Sequence, residues 1–195
     1  EECPDEKMLD EALEEYLAHK QESGVLGWLN PHDRAYYEGI IIATMTEYFE
    51  FYEEDFNFEF VEVEKQFKVP FNGIYMIGKK DGIIKNNGKL WLFEHKTKGD
   101  VNEDQIIRNL DLNFQTQYYL LANRIEVELL KKKNPRSKAK ACDGVLYNII
   151  RRTRSQPKKT EKLKDFCIRL REEISRDYDY FFKRLEVEYT QEQNA

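Results

Sequence analysis

The chain has little cysteine and little histidine, and each scarcity removes a class of chemistry. Cys3, Cys142 and Cys167 are odd in number and lack CxxC spacing. That argues against a disulfide framework or a cysteine zinc site and fits the reduced thiols of a cytoplasmic protein. His19, His32 and His95 are the only histidines, too few and too scattered to argue a Ser/His/Asp or Cys/His nucleophilic site. There is no GxxxxGK[ST] loop to cradle a nucleotide phosphate. No apolar run approaches the roughly 18–20 residues of a membrane span, and no signal-peptide pattern is visible. The first residue is not Met, so an upstream targeting segment stays open. Internal repeats and linkers are missing too.

What remains is a chain built to fold. With 195 residues, 41% of them apolar and 13% aromatic, it is long enough and hydrophobic enough for one domain with its own core. The net charge of −6 hides a strong asymmetry. Residues 1–60 carry seventeen acids against three bases, a net of −14, whereas residues 131–164 carry thirteen bases against Asp143 and Glu161, a net of +11. A local basic field of this kind suits a phosphate backbone, because the local field guides such a ligand more than the total charge does. A solvated charged surface is the alternative.

Periodicity gives the elements. Met8, Leu9, Ala12, Leu13, Tyr16 and Leu17 recur at helical spacing, and Ser23-Gly24 ends that helix. Asn30-Pro31-His32-Asp33 predicts the cap of a second helix with Tyr37, Ile40, Ile41, Met45, Tyr48 and Phe49 on one face. Residues 61–71 alternate as a strand, and 73–84 and 90–97 form a hairpin around Asn87-Gly88. The second hairpin strand is apolar on both faces, as in the middle of a covered sheet. A helix over 103–133, broken near Asp111, closes at Asn134-Pro135. Residues 142–150 form another strand, and Leu163, Phe166, Cys167, Leu170, Ile174, Phe181 and Leu185 fall in register on one long final helix. The order ααβββαβα predicts a mixed α/β fold, with a central mixed sheet of four or five strands flanked by helices.

The hairpin concentrates the chemistry. A two-residue turn at Asn87-Gly88 sets Asp81 across from Glu94, and Lys96 points to the same face by the period of two. Two opposed carboxylates repel, and a divalent cation is the simplest reason to keep them together. Unrelated charges engaged in surface salt bridges are the alternative.

Asp81, a turn, then Glu94-His95-Lys96 resembles the signature of the PD-(D/E)XK nuclease superfamily. Gln115-Thr116-Gln117-Tyr118-Tyr119 matches the Q-x-x-x-Y pattern of its RecB-like branch, and residues 143–152 look like bacteriophage exonucleases of that branch. The resemblance spans about residues 61–154 and implies a restriction-endonuclease-like core. The whole of 1–195 then forms one nuclease domain, with N-terminal helices over 1–60, a catalytic core over 61–154 and a C-terminal helix over 155–195. It further implies a Mg²⁺- or Mn²⁺-dependent deoxyribonuclease, most simply an exonuclease of phage or bacterial DNA recombination. Its surroundings are then the cytoplasm of a bacterium or phage-infected host, with a single-strand annealing protein or repair complex as partner. A catalytically silent DNA-binding module of the same fold is the alternative.

The resemblance also assigns roles. Asp81 and Glu94 hold the metal together with the backbone carbonyl of His95, whose side chain points to the opposite face and packs. Lys96 orients the attacking water and stabilises charge on the phosphate. Gln115 and Tyr119, one helical turn apart, reach DNA or brace the site, or are ordinary packing, and Tyr118 belongs to the core. RecB-like enzymes often carry a ligand histidine in a Gly-x-x-x-His setting, but here Gly39 is followed at that offset by Ala43. The Tyr-Glu context of the phage exonucleases points instead to Glu38 in Tyr37-Glu38, with Glu47 behind it. Arg151, Arg152 and Arg154 are phosphate contacts on charge alone. The four-cysteine iron–sulfur set of some relatives is not reproduced, so no cluster is expected.

Overall fold

The computed structural model describes residues 30–99 and 113–189, with Glu11, Glu14, Glu15, Ala18 and His19 as further helical positions. The rest of the helix expected over residues 8–17, and residues 100–112 of the one expected from 103, lie outside the described residues. The elements are α1 (Pro31–Phe51), a 3₁₀ turn (Glu53–Asn57), β1 (Glu59–Phe71), β2 (Ile74–Asn86), β3 (Lys89–Lys98), α2 (Phe114–Lys133), β4 (Gly144–Arg151), α3 (Leu163–Ser175), α4 (Tyr178–Phe181) and β5 (Phe182–Glu188). Contacts divide the chain into a helical unit, Glu1–Asp55 with Arg152–Phe181, and a sheet unit, Phe56–Arg151 with Phe182–Ala195. Among the described residues no helix is long and apolar enough to cross a membrane.

Two Asn-Gly turns build the antiparallel half of the sheet. Asn87 (φ 50°) and Gly88 (φ 76°) both take the left-handed conformation of a primed hairpin turn. Pairing runs from Asn86↔Lys89 to Gly82↔Phe93, the register the turn predicts. The same dipeptide at Asn72 (φ 47°) and Gly73 (φ 82°) closes a second hairpin at Phe71↔Ile74. The five strands lie in the order β1-β2-β3-β4-β5. β3 is parallel to β4, which needs a long crossover, and the segment containing α2 supplies it. β5 returns antiparallel to β4, so the sheet is mixed, as expected, with β3 at its centre.

The sheet is apolar on both faces. On one, Leu120 of α2 packs on Ile83, Leu92, Val145, Tyr147 and Ile149, and Ala122 packs on Phe67, Val69 and Met76. On the other, Ile84, Trp91, Phe93 and Leu146 cluster with Phe58. α2 starts at Asn113, whose side chain accepts from the Thr116 amide, and ends at Asn134, before the Pro135 that forbids continuation.

In the helical unit α1 begins where the sequence places it. Asn30 Oδ1 accepts from the Asp33 amide at 2.9 Å, and Pro31 takes the first turn. Its buried stripe is not the expected one. Gly39, Ala43, Thr44, Glu47 and Tyr48 are buried, whereas Tyr37 is 51% exposed. Close approach to α3 explains the shift, since a Cβ on Gly39 would lie 2.5 Å from the Phe166 ring.

The largest correction concerns the C-terminus. The expected single helix stops at Ser175, and Asp177 Oδ1 caps the Tyr180 amide at 3.0 Å to start the short α4. Phe182–Glu188 then forms β5. Phe181 and Leu185, four apart, fit a helical stripe, but Leu185-Glu186-Val187-Glu188 alternates with period two, and Leu185 and Val187 pack on the α2 face of the sheet. Burial against that face decides for the strand.

Gly144 tests this arrangement. A Cβ there would sit 2.2 Å from the Val187 carbonyl oxygen and 2.9 Å from the Trp91 ring. Gly144→Ala should therefore destabilise the protein by about 1–3 kcal/mol or more, read as a lower urea midpoint. A near-neutral change would mean that β5 does not pair as described.

Candidate active site

The β2–β3 ladder ends one pair before Asp81 and Glu94 would meet, at Gly82↔Phe93. Asp81 instead turns its carboxylate to the main chain of β3, and Oδ2 accepts from the His95 amide at 3.0 Å. Glu94, in the centre of the sheet, has no exposure. Its Oε2 accepts from Lys96 Nζ at 2.9 Å, while Oε1 is buried with no partner. Burial pushes the Glu94 carboxyl above its ordinary range; the Lys96 ammonium opposes this, and the negative charge of Asp81 adds to it.

Lys96 also donates to Gln115 Oε1 at 2.9 Å. Gln115 Nε2 in turn donates to the Tyr119 hydroxyl at 3.2 Å, and the Tyr119 ring packs edge-on against Phe67. Glu94, Lys96, Gln115 and Tyr119 thus lie in one polar chain from β3 to the first turns of α2, with Asp81 held beside it on the His95 amide. Beneath it Thr116 Oγ1 and the Tyr147 hydroxyl share a buried hydrogen bond. The His95 ring is exposed, with the Phe93 ring at 4.5 Å and Asn148 Nδ2 at 3.2 Å from Nδ1. Tyr118, expected in the core, is half-buried, and its hydroxyl bonds both the Ile77 amide and carbonyl.

Other sequence candidates fall elsewhere. Glu38, in the helical unit, accepts from Arg34 Nε at 2.7 Å. Glu47 is buried, with Arg171 Nε at 2.5 Å and the Tyr178 hydroxyl at 2.6 Å. Arg151 is half-buried on β4 opposite Lys98, and Arg152 and Arg154 are exposed in the helical unit.

Lys80 is the residue the sequence did not single out. It has no exposure, and its ammonium lies 2.8 Å from Glu62 Oε2 on β1 and 2.7 Å from Glu126 Oε2 on α2. Burial pushes its pKa down, but the hydrogen bonds and charges of Glu126 and Glu62 outweigh that and raise it. The available signal was a lysine beside Asp81 in a strand otherwise rich in apolar residues.

Among the described residues no group of three or more His, Cys, Asp or Glu is arranged to hold a metal ion. The sheet unit offers Asp81 and Glu94, and the unmatched Glu94 Oε1 suits a hard cation in charge and donor type.

A family model for the PD-(D/E)XK nuclease superfamily matches residues 1–193. Comparison with curated proteins gave no match. Among solved structures the crystal structure of SSO0001 is similar over 88% of this chain and 84% of that one, at 20% identity and a TM-score of 0.33, a likeness that carries no argument about the site.

Two outcomes follow from this geometry. Because Glu94 holds its proton more tightly folded than unfolded, its contribution to stability is present at low pH and lost as pH rises through its raised pKa. Glu94→Gln should therefore raise the melting temperature of the metal-free protein at neutral pH, with the gain shrinking below the ordinary glutamate range. An equal effect at all pH values would contradict the assignment. Lys80→Met should cost about 2–4 kcal/mol, near the low end for a broken buried pair because Glu62 and Glu126 keep 19% and 20% exposure. Adding Glu62→Gln and Glu126→Gln should restore much of that loss in urea unfolding.

Proposed function

From membership of the PD-(D/E)XK nuclease superfamily, to which this chain belongs, we propose that it is a metal-dependent deoxyribonuclease with Asp81, Glu94 and Lys96 at its centre. The observation that carries the reading is the buried Glu94 carboxylate, one oxygen on Lys96 and the other without a partner, beside the charge of Asp81. Asp81 and Glu94 would hold Mg²⁺ or Mn²⁺, hard cations that favour oxygen donors, with the His95 carbonyl as a further ligand on the family pattern. When bound, such an ion polarises the scissile phosphodiester and lowers the pKa of the attacking water.

The residues of the chain do the rest. The Lys96 side chain keeps 24% exposure, so it can face a phosphate while Glu94 and Gln115 fix its direction. There it orients the water and stabilises charge that develops on the phosphate. Gln115 positions Lys96, and Tyr119 positions Gln115. Glu38 and Glu47, the helix acids offered as further ligands by the resemblance, are engaged within the helical unit by Arg34 and by Arg171 and Tyr178 respectively. Arg151, Arg152 and Arg154 are proposed phosphate contacts. The exonuclease mode, a role in phage or bacterial recombination and an annealing or repair partner rest on the resemblance of residues 61–154.

Incubation with linear and covalently closed circular DNA, in Mg²⁺, Mn²⁺ or EDTA, tests the reading. Metal-dependent loss of linear but not closed DNA is expected, and binding without degradation in any metal would identify a silent binding module instead. Asp81→Ala and Glu94→Ala should abolish cleavage and weaken Mn²⁺ binding in calorimetry. Lys96→Ala should lose roughly 10²–10³ in rate yet keep Mn²⁺ affinity. Wild-type cleavage by Lys96→Ala would remove that lysine from the mechanism.

A further inference from the structure

A groove of about 400 Å³ opens beside the candidate site, on the same unit. Its walls are Phe71 and Ile74, flanking the Asn72-Gly73 turn, and Phe114, Tyr118, Leu121 and Arg124 on one side of α2. The wall is built to be apolar and open to solvent. Phe114 is 80% exposed and Ile74 is 65% exposed, an unusual investment of hydrophobic surface for a residue with nothing to bind. The aromatic pair is set rather than loose. Phe114 and Tyr118 lie one helical turn apart with ring centroids 5.7 Å apart and planes tilted by 32°, and the Tyr118 hydroxyl is anchored to both backbone groups of Ile77.

We infer that this groove takes the unpaired bases of a DNA strand whose phosphate lies at Lys96. The inference rests on the proposed nuclease reading and deepens it, because it specifies an unpaired strand, single-stranded or frayed from a duplex end. Three observations favour bases. Phe114 and Tyr118 each adjoin in sequence a residue of the polar chain, Gln115 and Tyr119, on the same two turns of α2, and Gln115 bonds Lys96, so one helix carries both the groove wall and the support of the site. Offset aromatic faces are a stacking platform that accepts any base, since every base has a π-face. The single charge in the groove lining is Arg124, which has no carboxylate partner among the described residues and matches a phosphate backbone. Bases paired inside a duplex are stacked on one another and cannot enter, whereas unpaired ones can.

Fluorescence anisotropy in EDTA, where cleavage cannot interfere, tests this with a fluorescein-labelled single-stranded thymidine oligonucleotide and a blunt duplex of equal length. Phe114→Ala should weaken single-strand binding by roughly five- to a hundred-fold, the loss of one base–aromatic stack, and change blunt-duplex binding much less. Phe114→Trp should restore it, which a purely structural role would not require. Because Phe114 is so exposed, the alanine variant should unfold at the wild-type urea midpoint. Arg124→Gln should reduce the salt dependence of single-strand binding by about one phosphate contact.

Equal single-strand affinity for wild type and Phe114→Ala would overturn the inference. If Phe114→Ala instead abolished a concentration-dependent dimer seen by light scattering while sparing oligonucleotide binding, the groove would be a protein contact, and the inference would again fall. Wild type that degrades DNA but does not bind the single strand would overturn the groove and leave the nuclease reading standing. Wild type that binds the single strand through Phe114 but never cleaves would do the reverse.

Discussion

Ionising Glu94 inside a covered sheet is the cost around which the sheet unit is arranged. An unpaired buried carboxylate is expensive in a low-dielectric interior, and Glu94 has no exposure. The chain supplies Lys96 two residues later, on the same face and within 2.9 Å of one oxygen. That ammonium is then held by Gln115, Gln115 by Tyr119, and Tyr119 by the Phe67 ring. The compensation is incomplete, since Asp81 and Glu94 together outnumber Lys96 by one negative charge and Glu94 Oε1 stays without a partner. A divalent cation is the species that would complete it.

Asp81 can take part only because β2 leaves β3 at the right residue. The strands pair through Gly82, and the next side chain reaches the His95 amide. Lys80, immediately before, ties that part of β2 to β1 through Glu62 and to α2 through Glu126. The buried ion pairs thus stand one residue from the acid whose position they define. Removing either carboxylate from Lys80 would leave a buried charge short of partners, the unfavourable case for such pairs.

Much of this was legible in the sequence where local chemistry acts alone. Asn87-Gly88 sets its hairpin register by backbone preference, Asn30 caps α1, and Pro135 bounds α2. That register and a period of two set Asp81 across from Glu94 as an expectation, whereas the ladder stops one pair short and Asp81 turns to the His95 amide. Legibility failed where two periods fit the same residues. Phe181 and Leu185 satisfy a helical stripe and β5 satisfies alternation, and only a sheet edge in need of a partner separates them. The α1 face failed for a different reason. Tyr37 looked like core and Gly39 served only as the reference for a ligand-histidine offset, yet a ring approaching within 2.5 Å of where a Cβ would stand makes the glycine the packing residue. Lys80 was unreadable because its partners lie 18 and 46 residues away in the chain.

The stretch of β2 from Ile74 to Lys80 pairs with β1 but not with β3. Among the described residues no strand pairs with that side, and an unpaired strand margin is of the kind that recruits a foreign strand and seeds aggregation. The Tyr118 hydroxyl occupies the amide and carbonyl of Ile77, in the middle of this margin. A single phenol therefore occupies one donor and one acceptor that an incoming strand would need at this position.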